Sequence, residues 1–141
     1  MNPLLRNVLA VVAGLAAAVA VVAVVEAVSA RLFPLPAGLD FTDRAAMAEA
    51  IAGLPAGAFV MVVIAWGLAA LSGSAVATGV SRRIGPGYLI GLLLLAAGIA
   101  NMVMIPHPVW MWIGGIIVIL LGTMVGSRLA ARQRIEGRTV A

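Results

Sequence analysis

VLAVVAGLAAAVAVVAVVEAVSARL, residues 8–32, decides the fold. Its first eighteen residues, Val8 to Val25, carry no charge and are Val, Ala and Leu but for Gly14. About 20 residues rising 1.5 Å each cross a hydrocarbon layer about 30 Å thick, so this segment is long enough to span a bilayer. Glu26 stands inside the same apolar run, ahead of Arg31 and of Pro34, which closes it. Arg6 before the run and Val28-Ser29-Ala30 after it would also suit a cleaved secretory leader. The run exceeds the roughly 7–15 apolar residues of such a leader, and an acid beside the cleavage point would be unusual. Retention as a membrane span is therefore the expectation.

The rest of the chain repeats this character. Of 141 residues, 64% are apolar and 10% charged, against about 25% charged in a soluble domain whose surface faces water. The sequence predicts an all-α, integral membrane four-helix bundle forming one domain over residues 1–141. The spans fall at about 8–32, 55–80, 88–105 and 109–127, and a basic tail occupies 128–141. There is no cysteine and one histidine, so no metal site built from those ligands is expected and no cofactor is implied. All nine basic residues are arginine. They do not form a run interleaved with aromatics, so nucleic acid is not an expected partner.

Between the first two spans, Pro34-Leu35-Pro36 stops the helix, because proline lacks a donor and disfavours helix in the residue before it. From about Phe41 to Gly53 a short amphipathic helix is predicted. Asp40 or Thr42 would cap it, and Met47, Ile51 and Leu54 share one face. It can lie on the membrane surface or form a lid over the bundle. Gly85-Pro86-Gly87 and Pro106-His107-Pro108 are the later turns. Ile135-Glu136-Gly137-Arg138 resembles a protease site used in expression work and carries no functional weight here.

Arginine placement sets the topology. Arg6, Arg82, Arg83, Arg128, Arg132, Arg134 and Arg138 fall at one end of the four spans, and Arg31 and Arg44 at the other. The positive-inside rule places both termini in the cytoplasm of a bacterial inner membrane. Helix packing in lipid depends on close backbone approach, because no hydrophobic drive joins helices there. Ala69 and Gly73 belong to a four-residue repeat of small residues, while Gly87 with Gly91 and Gly122 with Gly126 have G-x-x-x-G spacing. These faces suit packing within the bundle, self-association as a homo-oligomer, or docking in a larger membrane complex.

Few residues carry chemistry, and no catalytic set is visible. Glu26 lies about 9 Å below the end of its helix. An ionised acid costs about 2.5–3.5 kcal/mol at the bilayer centre and less at this depth, so it needs a partner, a proton or water. It is either a proton or cation site or an acid hydrogen-bonded across helices for packing. Asn101 lies about 7 Å below its own turn, at nearly the same depth, and is either a partner to Glu26 or polar glue. His107 is a candidate proton relay or a solvated loop residue. Trp66 is too deep to be an interfacial anchor, and its N–H needs an acceptor when buried. Ser29 shares the helical face of Glu26, whose small neighbours suggest that the face turns inward.

Glu26, the stretch PLPAGLD at 34–40, Ala65-Trp66 and IPHPVW at 105–110 together resemble a set of small, uncharacterised bacterial four-span inner-membrane proteins. The likeness covers most of the chain and implies a class without a mechanism. The first reading is a non-enzymatic membrane subunit, self-associating or docked on a larger complex; the alternative is a small proton-linked transporter or channel using Glu26, and the third an intramembrane enzyme acting on a lipid-like substrate. A cavity reaching Glu26 would favour the second or third, and an acid sealed against Asn101 the first.

Overall fold

The computed structural model describes residues 2–40, 42–105 and 107–139, with side chains as far as 133. Among the described residues there are five helices and no strand: α1 (Pro3–Leu32), α2 (Arg44–Ala52), α3 (Ala56–Ser81), α4 (Ile84–Met104) and α5 (Val109–Thr139). Four of them are long and apolar enough to cross a membrane. The short α2 stands between the first two spans, as the sequence predicts.

Several boundaries differ from the sequence reading, each for a local reason. α1 begins at Pro3 rather than Val8, because Asn2 Oδ1 accepts the Leu4 N–H at 2.9 Å and proline suits the first turn. Asp43, not Asp40 or Thr42, caps α2, its Oδ1 accepting the N–H groups of Ala45 (2.8 Å) and Ala46 (3.2 Å). Asp40 instead closes the preceding turn, accepting from the Thr42 N–H and hydroxyl at 2.8 and 2.7 Å. Phe41 lies outside the described residues. Gly85-Pro86-Gly87 is not a turn. It forms the first turn of α4, where proline's missing donor leaves nothing unsatisfied. The actual link is Arg82, at φ 60°, followed by extended Arg83. Ser81 braces it, its hydroxyl accepting from the Arg83 N–H (3.1 Å) and donating to the Arg83 carbonyl (2.8 Å). α5 continues through most of the basic tail to Thr139. The side chains of Arg134 and Arg138 and of the 135–138 motif lie outside the described residues, as do Pro106 and residues 140–141.

α3 is the central helix. α1 and α5 flank it, and α4 lies across α3 and α5 while touching α1 only briefly. The interior is made of small residues: Ala10, Gly14 and Ala18 on α1, and Ala65, Ala69, Gly73 and Ala77 on α3 are all buried. The outside is large and apolar, with Val19, Leu92 and Ile113 exposed by 61–64%. Small inside and large outside reverses the pattern water imposes, and it is how helices pack when lipid is the solvent. The chain is thus a small integral membrane protein.

The helices meet at glycines. At the α1–α3 crossing, a Cβ on Gly14 would come within 2.7 Å of the Gly73 carbonyl oxygen, and one on Gly73 within 2.8 Å of the Gly14 carbonyl oxygen. Between α3 and α5, a Cβ on Gly122 would lie 2.5 Å from the Gly67 carbonyl oxygen, and one on Gly126 would strike the backbone of Leu71. On α4, Gly87 leaves room for the hydroxyls of Thr78 and Ser127, and Gly91 for the side chain of Thr123. Ser74, Thr78 and Ser127 are fully buried with no hydrogen-bond partner for their side-chain oxygens. Thr78 and Ser127 fill the space a Cβ on Gly87 would take, a packing that favours weak contacts to the glycine Cα–H groups.

Candidate functional site

The site lies at the α2 end of the bundle, and the divergence of α1 from α4 creates it. The two helices meet near Gly14 and Ile90. Beyond that point no small-residue crossing holds them together, and a gap opens between them. A cavity of about 230 Å³ occupies the gap, walled by Val22 and Glu26 of α1, Leu94 and Asn101 of α4, and Trp66 of α3. A second cavity, of about 420 Å³, continues toward the α2 end. Both include Glu26, Trp66 and Asn101 in their walls, so they meet at those three residues.

Glu26, Asn101, Trp66, Ser29 and His107 come from α1, α3, α4 and the α4–α5 link, and all five line this space. Glu26 and Asn101 stand on its two rims, and both are exposed. The face of Glu26 borders the gap between α1 and α4, and the acid itself is exposed. An exposed Glu26 and an exposed Asn101 do not close against each other. Arg31 lies off this face, is exposed, and lines neither cavity.

Trp66 is held in a slot. A Cβ on Gly115 of α5 would lie 2.8 Å from its Cζ3, and one on Gly98 of α4 would lie 3.7 Å from the same atom. Two glycines on two helices thus receive the six-membered edge of the indole and fix the ring at the junction of the cavities. Phe33 packs by its ring edge on Gly57, whose Cβ would fall 2.9 Å from the Phe33 Cζ. His107 donates from Nδ1 to the Ile105 carbonyl at 2.6 Å, which leaves Nε2 as the ring's acceptor. Its ring meets Phe59 edge to face, with centroids 6.2 Å apart.

α2 covers the outer cavity. Its backbone stands off from the four spans, yet Met47 and Ile51, with Leu54 just beyond the helix, reach the cavity wall. Ile51 is 9% exposed. Lining by Met47 and Ile51 fits both a helix lying on the membrane surface and a lid over the bundle.

Phe33 and Phe59 were not singled out by sequence reasoning, nor was the Gly98–Gly115 slot. In sequence, phenylalanine in a span or at its end reads as ordinary apolar filling. In the fold both rings line the outer cavity that also reaches Glu26. No group of three or more His, Asp or Glu side chains able to hold a metal occurs among the described residues.

The fold and site define a small four-span membrane protein with an acid-bearing cavity open at one end. Comparison with models of known protein families, with curated proteins and with solved structures returns no match for the chain.

Proposed function

We propose that this protein is a small proton-linked carrier of the bacterial inner membrane, with Glu26 as the group that exchanges a proton against its cargo. The observation that carries the reading is the cavity itself: it reaches Glu26 from the α2 end and leaves the acid open. A scaffold subunit would gain nothing from an unsealed carboxyl at this depth, where desolvation is costly. An enzyme would need a second acid, base or nucleophile coupled to Glu26; Ser29 and His107 share the outer cavity with it, but the His107 ring bonds to the Ile105 carbonyl instead. The arginine bias places both termini in the cytoplasm, so the α2 end opens to the periplasm. Toward the cytoplasmic half α1 packs tightly on α3 at Gly14 and Gly73, while a separate groove lined by Val8, Val12 and Leu89 lies between α1 and α4. Access from the other side then requires α1 or α4 to move, in a single copy or in a homo-oligomer.

The test is flux in proteoliposomes carrying a pH gradient. Purified wild-type protein should dissipate the gradient when a cargo is added, and Glu26→Gln should abolish the response while remaining helical and monodisperse. Equal dissipation by wild type and Glu26→Gln would overturn the reading.

A further inference from the structure

We infer that the cargo bound at this cavity is a hydrophobic organic monocation, such as an aryl-bearing amine or onium ion. The inference rests on the carrier reading for its use, but on separate observations for its chemistry. The first observation is charge. Among the described residues, Glu26 is the one acid in the two cavity walls, and no arginine lines either of them. An ionised acid beside apolar walls repels anions and is neutralised by a proton or by a cation. The second is the kind of wall around it. Phe33, Phe59 and Trp66 line the space with Glu26, and aromatic faces attract cations, tryptophan most strongly. The third is shape. The outer cavity, about 420 Å³, is wide enough for ring systems, and its wall is mostly apolar beside Met47 and Ile51. An alkali ion would need several oxygen ligands, whereas here the polar side chains near Glu26 are Ser29 and Asn101. A neutral lipid tail would gain nothing from the acid.

Proton and cation then compete for one carboxylate. Around Glu26, α2, α3, α4 and α5 contribute no titratable side chain to the cavity walls; His107, in the α4–α5 link, does. A protonated His107 would weaken cation binding with the same sign, so His107→Gln separates the two.

The experiment is equilibrium binding of tetraphenylphosphonium and of tetraphenylborate to the purified full chain in a neutral detergent. The two probes share shape and size and differ in charge. The phosphonium should bind more tightly at higher pH. The borate should bind no more than to protein-free micelles. Glu26→Gln should weaken phosphonium binding about tenfold or more and remove its pH dependence, while Glu26→Asp keeps both. Trp66→Leu should weaken it about threefold, and His107→Gln should leave the pH dependence in place. Equal binding of the two ions, or phosphonium binding unchanged in Glu26→Gln, overturns the cation assignment. The flux assay judges the carrier reading separately. Glu26-dependent flux of a neutral compound without phosphonium binding would remove the cation class alone. Glu26-dependent phosphonium binding without flux would remove transport alone.

Discussion

Glycine does two different jobs in this chain, and they can be told apart by what a methyl group would meet. At Gly126 it would meet the backbone of Leu71, which cannot rotate away, so the helices must part. At Gly114 it would meet nothing within 4 Å. Gly126→Ala should therefore destabilise the bundle by about 1–3 kcal/mol. Gly114→Ala, in the same helix, should be neutral or stabilise by up to about 1 kcal/mol through helix propensity. Reversible unfolding in mixed micelles measures both, and equal effects would refute the close α3–α5 contact. The same distinction shows how far single residues were legible in sequence. Glu26, Asn101 and Trp66 stood out because polar and amphipathic side chains are costly at membrane depth, whatever surrounds them. The Gly98–Gly115 slot did not, because its meaning arises only when α4 and α5 come together around one indole.

The short helix α2 is set by two aspartates that divide the work. Asp43 satisfies two free N–H groups at its start, and Asp40 organises the turn before it. Asp43→Ala should lower the local stability of α2 by about 1 kcal/mol, read as faster amide exchange at Ala45 and Ala46 with the four spans unchanged. The hydrogen bonds from the Thr42 side chain and backbone hold the Asp40 carboxyl below its ordinary range. A depressed carboxyl stabilises the fold above its unfolded pKa, and that contribution is lost as pH falls through the lower, folded value. The Thr42 amide should accordingly keep its protection through mildly acidic pH and lose it only under stronger acid. Thr42→Val should move that loss upward in pH. Sequence pattern was enough to place this helix and its apolar face, since Met47, Ile51 and Leu54 fall on one side. It was not enough to choose its cap, because Asp40, Thr42 and Asp43 are all competent acceptors within four residues. The α3–α4 link was misjudged for a related reason: Gly-Pro-Gly suits a turn and a first helical turn equally well, and the φ of Arg82 decided between them.

The molecule as a whole is a bundle with two unlike halves. Toward the termini, small residues and buried hydroxyls bring α3, α4 and α5 together and α1 onto α3, with an apolar groove left between α1 and α4. Toward α2, α1 and α4 separate, and the space between them holds the acid, the amide and the aromatic rings. Length and composition were enough to predict four spans, because crossing lipid requires about 20 apolar residues and little else. The gap was not legible, since it depends on where contacts between α1 and α4 stop. The most direct test of the account uses the absence of native cysteine. Asn101 and Val103 lie two residues apart on α4, and both are exposed in the isolated chain. Only the first faces the cavity, and Val103 presents 72% of its surface to what should be lipid. Thiols react through the thiolate, which forms in water and not in hydrocarbon. In membranes, a charged, impermeant thiol reagent added from the α2 side should modify Asn101→Cys rapidly and leave Val103→Cys unmodified. Equal labelling of the two, or protection of Asn101→Cys, would contradict a water-reachable cavity inside a lipid-covered bundle.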